Sequence, residues 1–221
     1  MRKLWGLVAV LCLAACVQLP HAQGPALSCE QIAGLQKQIG MVVSPEQLRE
    51  LIHKEYELPL ARIEIRIIDK VTDDGIAYIV SWADKHKLEY MAYLGDQGIV
   101  KLRVWETNTP GDQLLACLGQ PSQYYADASG VEIGPVRDIH LFFPAQGIWA
   151  DGRQYFRGDT DTKAIPVVDG QFPFDDLMIV KPQSVEQIIN IGGGDSGPEI
   201  LRQCKPWPGD WVKIEFPPYP K

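Results

Sequence analysis

Between Ile63 and Val104 apolar residues recur at every second position, and this alternation limits the fold more than any other feature of the chain. Ile63, Ile65 and Ile67 alternate with Glu64 and Arg66. Ile76, Tyr78, Val80 and Trp82 share a face, as do Leu88, Tyr90, Ala92 and Leu94, and then Val100, Leu102 and Val104, which alternate with Lys101 and Arg103. A period of two means half-buried strands. The turn sequences Asp73-Asp74-Gly75 and Asp96-Gln97-Gly98 are short enough to make neighbouring strands antiparallel. Such a meander needs a cover for its apolar face. Two amphipathic helices precede it: residues 28–40 carry Ile32, Leu35 and Ile39 at helical spacing, and Ser44-Pro45-Glu46-Gln47 is a capped start for Leu48, Leu51 and Ile52, ended by Pro59. The expected class is α+β, with N-terminal helices packed on an antiparallel β-meander.

The second half repeats this order. Thr109-Pro110-Gly111-Asp112 opens a helix through Leu114, Leu115 and Leu118 to Gly119, with Pro121 as a break. Strand-like pieces follow at 123–126, 138–143 and 147–150. Two related helix-plus-meander units, 28–107 and 108–221, fit this pattern, as does one continuous domain; residue identities between the halves are sparse. From Asp151 onward Pro, Gly, Asp and aromatics increase. Short helices are expected at 183–191, started by Ser184, and at 198–204. The end of the chain, irregular and rich in Pro, cannot be regular helix. Its rings are expected to plug one end of the core, and Trp207, Trp211 and Tyr219 are the alternative binding surface.

The first residues give an address. Met1-Arg2-Lys3, a short apolar run and Leu13-Ala14-Ala15-Cys16 make a secretory signal over residues 1–15. The Cys after Leu-Ala-Ala resembles the lipobox of bacterial lipoproteins. That resemblance implies cleavage after Ala15, a diacylglyceryl thioether and an acyl chain such as palmitate on Cys16, and anchorage of an extracytoplasmic domain to the cell envelope. Residues 16–27 read as a tether. Without Arg2 and Lys3 the formal net charge goes from −7 to −9, with no basic stripe, which argues against nucleic acid. Membrane contact is expected through the lipid alone.

Cys29, Cys117 and Cys204 then remain in an oxidising compartment, enough for one bridge and one spectator. Cys117 lies in the apolar helical run Leu114-Leu115-Ala116-Cys117-Leu118, where a free thiol behaves as a small hydrophobe. The expected disulfide is Cys29 to Cys204. No Cys-x-x-Cys occurs and the four His are scattered, so no metal or cofactor is expected.

Motifs with catalytic associations are weak. Gly194-Asp195-Ser196-Gly197-Pro198 is similar to the nucleophile loop of chymotrypsin-like proteases, but it lacks one Gly, and His53 sits in a helix. Residues 192–197 match Gly-x-Gly-x-x-Gly without the βαβ unit that a dinucleotide needs, so a turn between short helices is the better reading. Arg157-Gly158-Asp159 reads as a polar loop. Asp159, Asp161, Asp169, Asp175 and Asp176 lack the Gly and closing Glu of an EF-hand loop.

The segment Thr109-Pro110-Gly111-Asp112-Gln113-Leu114-Leu115-Ala116-Cys117-Leu118-Gly119-Gln120-Pro121-Ser122 resembles the helix-and-turn segment of small outer-membrane lipoproteins of the β-barrel assembly machine and of β-lactamase-inhibitor-protein-like domains. The resemblance covers about forty residues, to Trp149 at most. It implies helices on an antiparallel sheet, a lipid anchor and a scaffolding role without catalytic residues. The expectation is a cell-envelope lipoprotein that binds a protein or ligand. The rivals are an anchored hydrolase, marked by a deep pocket with a Ser or a carboxylate pair held by His or Arg, and a small-solute receptor with a concave face lined by Trp and Tyr.

Overall fold

A computed structural model describes residues 24–69, 71–72, 75–131, 134–155 and 168–217. The signal segment, Cys16, Arg157-Gly158-Asp159, Asp161 and Tyr219 lie outside the described residues. Five α-helices accompany one antiparallel sheet of nine strands, an α+β architecture. Helices α1 (Cys29–Gln38) and α2 (Pro45–Tyr56) precede strands β1 (Glu64–Ile67), β2 (Ile76–Ala83), β3 (Glu89–Gly95) and β4 (Gly98–Pro110). Helix α3 (Gly111–Leu118) leads into β5 (Gln123–Val131), β6 (Gly134–Phe143), β7 (Ile148–Tyr155) and β8 (Pro173–Val180). Then come α4 (Val185–Gly192), α5 (Gly197–Gln203) and the two-residue β9 (Lys205–Pro206).

The strand order is β1-β2-β3-β4-β8-β7-β6-β5-β9. Each half is thus a four-stranded meander, and the last strands of the two halves pair side by side. The boundary expected at 107/108 falls inside β4, so a single sheet runs through both halves.

Local chemistry sets the helix ends. Ser28, Ser44 and Ser184 each form a capping box with the Gln three residues on, and Pro45 occupies the first turn of α2. Gly119, at φ +80°, stops α3 in a conformation that disfavours side chains.

The sheet buries both faces, unequally. On the first, Val80, Trp82, Ala92, Leu102, Val104, Leu141, Ala150, Leu177 and Ile179 form one cluster with Ile32 and Leu35 of α1, Leu48 and Ile52 of α2, and Leu114 and Leu118 of α3. Leu27 is fully buried there, its N–H donating to Thr109 Oγ1 and its carbonyl accepting from Gln113. Residues 24–27 therefore belong to the fold, and a tether has to end before them. On the second face Tyr125, Phe142, Trp149, Met178 and Val180 pack under Val185, Ile188 and Ile189 of α4 and Ile200 of α5.

The disulfide differs from the expected one. Cys29 at the start of α1 is bonded to Cys117 in the last turn of α3, with Cα atoms 5.0 Å apart, and Cys204 is free. The reason is the two faces. Cys29 and Cys117 meet over the first, whereas Cys204 packs with the second cluster, the sheet lying between. The apolar run around Cys117 described the helix correctly, but its half-buried position made the thiol available to a neighbouring helix.

Candidate functional site

Register on the second face lines up side chains that are far apart in sequence. One row crosses five strands as Tyr125, His140, Asp151, Asp176 and Trp105, each directly opposite the next. The next row runs Phe142, Trp149, Met178, Arg103, Met91 and Ser81. A third carries Val180, Lys101, Tyr93 and Ile79. Helices α4 and α5 roof only the β5–β8 end of these rows.

Polar groups in the first row hold one another. Asp176 accepts from Arg103 Nε at 3.0 and 2.8 Å, from Arg103 Nη2, and from Trp105 Nε1 at 3.0 Å. Such a bidentate, charge-assisted pair fixes both partners. Asp151 stands directly opposite Asp176 across the strands, and two like charges in that relation repel. Burial, then Asp176 and Asp138, push the Asp151 carboxyl up to about 7. His140 moves the other way, to about 4, because burial disfavours imidazolium. The hydrogen bonds agree with these directions. Trp149 Nε1–H donates to His140 Nδ1 at 3.1 Å, which assigns the imidazole as neutral with its proton on Nε2. Asp151 Oδ1 lies 3.4 Å from the same Nδ1. Below about pH 7 both shifts favour the proton on the carboxyl over the imidazole, so a neutral pair is preferred to the ion pair that water would favour. Asp138, one row further along, is paired with Arg153.

A cleft beside this row is lined by Arg103, Trp149, Asp151, Asp176, Met178 and Gly192 and encloses about 20 Å³. That is room for one water molecule and too little for a substrate. Gly192 keeps it narrow. A Cβ there would lie 2.5 Å from Met178 Sδ and 2.9 Å from Trp149, so only glycine lets the end of α4 approach this closely. Over β1–β3 no helix of the described residues lies on this face. Ile79, Ser81, Met91, Tyr93, Lys101, Arg103 and Trp105 are all half-buried on this side of β2, β3 and β4. Lys101 Nζ sits 4.1 Å over the Tyr93 ring and donates to the Ile191 carbonyl, and the Arg103 guanidinium sits 4.7 Å over Trp105. The second depression, along α2 at Val42, Val43, Glu46, Gln47, Glu50, Leu51 and Lys54, is shallow and brings no acid–base pair together.

The residues picked from sequence are dispersed. Trp211 is buried against Gly111 and Phe174, with Nε1 donating to Asp112 at 2.9 Å. Trp207 is half-buried, edge-on to Tyr124 and Trp211. These rings close one end of the first-face core and offer no open platform. Ser196 is exposed in a 3-10 turn, His53 Nδ1 faces the Leu58 carbonyl, and His140 faces Trp149, so no nucleophile–base pair forms among them. Of the glycines around Ser196, Gly193 has a packing role: a Cβ there would lie 2.7 Å from Gly197 Cα, whereas one at Gly194 would meet nothing within 4 Å. Asp169 caps Gln171, and among the described members of the acidic run only Asp176 enters the row. Among the described residues no group of His, Cys, Asp and Glu could hold a metal ion.

Sequence reasoning met Asp176 only in an acidic run and did not bring it together with Arg103, His140 and Asp151, because four different strands supply them. The one local signal was polar residues at strand positions facing away from the first core. Compared with known protein families, with curated proteins and with solved structures, the chain matches none.

Proposed function

We propose that the chain is a lipid-anchored, extracytoplasmic protein of the bacterial cell envelope whose role is to bind a protein partner without catalysis. In this reading the chain comprises two related helix-plus-meander units, the N-terminal helices lie on the first, and the open half of the second face is the docking surface. One observation carries it: helices roof that face over β5–β8, and no helix of the described residues covers it over β1–β3. Met91, Tyr93, Arg103 and Trp105 are residue types enriched at the centres of protein interfaces. The two rings are already held by cations, so ordering them on binding costs little entropy. A broad sheet surface suits a protein partner, whereas a small solute needs a concavity. The partner expected has aliphatic and aromatic side chains at its centre.

The anchored hydrolase finds less support. A carboxylate pair with His and Arg does occur at Asp151, Asp176, His140 and Arg103, but its groups satisfy one another in a cleft of water size.

Photo-cross-linking from position 93 of the full chain in its native membranes tests the reading. A discrete adduct is expected that disappears with Trp105→Ala and with Lys101→Glu, and that does not form from exposed Val42 on the opposite side. Equal adducts from both positions would remove the docking surface, and labelling of Ser196 by a serine-hydrolase probe would replace binding with catalysis. Cys16→Ala tests the address separately, by release from the membrane fraction.

A further inference from the structure

The two edges of the sheet are unlike. β9 is two residues long and ends in Pro206, which cannot donate to an added strand. β1, at the other edge, has no proline, and no strand of the described residues pairs with its outer side. Ile68 N–H donates to Ala77, and the register Glu64–Ser81, Arg66–Ile79 continues that ladder. Glu64 and Arg66 therefore turn their backbone groups towards β2. By alternation Ile65 and Ile67 turn theirs outward, as Ile63 does its carbonyl, its N–H being donated to the Leu60 carbonyl. Ile67 leaves 69 % of its surface exposed, and Val71 and Tyr78 near it are exposed as well.

We propose that β1 pairs antiparallel with β1 of a second copy of this chain, about a two-fold axis through Ile65. Charge selects both partner and register. Only registers that set odd-numbered residues against each other use the outward backbone groups. Pairing Ile65 with Ile67 of the other copy would set Arg66 against Arg66, and pairing Ile63 with Ile65 would set Glu64 against Glu64; like charges directly opposite are destabilising. Pairing Ile65 with Ile65 sets Glu64 against Arg66 twice and puts exposed Ile67 beside Ile63. The contact is isologous, so it closes at two copies. Within one chain Glu64 and Arg66 are 3.7 Å apart and both largely exposed, leaving each able to exchange partners. These charges hinder addition of an arbitrary strand and match their own two-fold image. The interface adds backbone hydrogen bonds at a sheet edge, a recognised mode of association, and does not use the Tyr93–Trp105 platform.

The test uses the full chain with Cys204→Ser to remove the free thiol. Across the axis the two Ile65 Cα atoms form a hydrogen-bonded pair roughly 5.5 Å apart, within disulfide reach, whereas the two Ile67 atoms are about 13 Å apart. Ile65→Cys is therefore expected to give a disulfide-linked dimer on a non-reducing gel, and Ile67→Cys a monomer. Arg66→Glu is expected to weaken dimerisation about tenfold in sedimentation equilibrium, and Glu64→Arg with Arg66→Glu to restore it. Both charged positions are exposed, so these variants fold even if the cysteine variants do not. A monomer at every concentration, or a dimer indifferent to the charge reversals, overturns the proposal. So does equal cross-linking at 65 and 67. Loss of the cross-link from position 93 with the dimer intact would instead count against the docking surface alone.

Discussion

The two meanders share strand order and pairing, yet their second faces have opposite fates. Over β5–β8, Phe142, Trp149, Met178 and Val180 are closed under Ile188, Ile189 and Ile200. Over β1–β3, the equivalent rows end in Met91, Tyr93 and Ile79, half-buried with no helix of the described residues above them. The chain explains the asymmetry directly: α1, α2 and α3 all join the first-face core, while α4 and α5, which follow the last strand of the second half, have only the second face left to cover. Topology can thus be repeated while the surface it presents is not. One half buys rigidity from a second core, and the other keeps a platform.

The largest perturbation cuts the tie between the halves. Replacing Cys29 and Cys117 with Ser opens a loop spanning 88 positions, which the chain-entropy model puts at about 4 kcal/mol. Urea unfolding of this variant beside Cys204→Ser, expected near wild type, checks both the magnitude and the pairing. Removing part of the roof comes next. Ile188→Ala, at a fully buried position of α4, is expected to cost about 3 kcal/mol in the same assay.

A pH series probes the row between the two regions. For an acid whose folded pKa is raised, stability is full below the unfolded value and falls as pH rises to the folded one; Asp151 therefore weakens the fold between about pH 4 and 7. His140, lowered to about 4, does the reverse and weakens it as pH falls from 6.5. Both forms of the pair hold one proton in total across that window, so the slopes cancel in the wild type. His140→Gln is expected to leave a stability that declines with rising pH, and Asp151→Asn one that declines with falling pH, each by on the order of 2 kcal/mol across the window. Denaturation midpoints at pH 4.5 and 6.5, flat in all three proteins, would show that the row is more hydrated than its burial implies.

Much of this arrangement was legible in the sequence. The alternation from Ile63 to Val104, the Ser-capped helices and the α+β class could be read because they depend on neighbours a few residues apart. β8 could not. Its run Leu177-Met178-Ile179-Val180 is apolar without alternation, since Leu177 and Ile179 face one core and Met178 and Val180 the other. Missing β8 hid the junction of the halves, and with it the opposition of Asp151 to Asp176 and the contact of Arg103 with both Asp176 and the cleft. The Cys29–Cys204 expectation failed for the same reason: which face a helix covers follows from strand order, and a single segment does not encode that.

The smallest effect makes the most direct comparison, because the molecule supplies a matched pair. Met178 and Met91 lie on either side of Arg103 in one row, the first 5 % exposed beneath α4 and the second half-buried on the open side. Met178→Ala removes packed contacts and leaves a cavity, expected to cost about 2 kcal/mol, whereas Met91→Ala loses only partial burial and is expected to cost less than about 1. Side-chain chemistry is the same at both sites, so the difference of about 1 kcal/mol or more measures the roof. Should Met91→Ala cost as much as Met178→Ala in the isolated protein, the platform would already be covered in the unbound state, and its exposure would no longer argue for a partner.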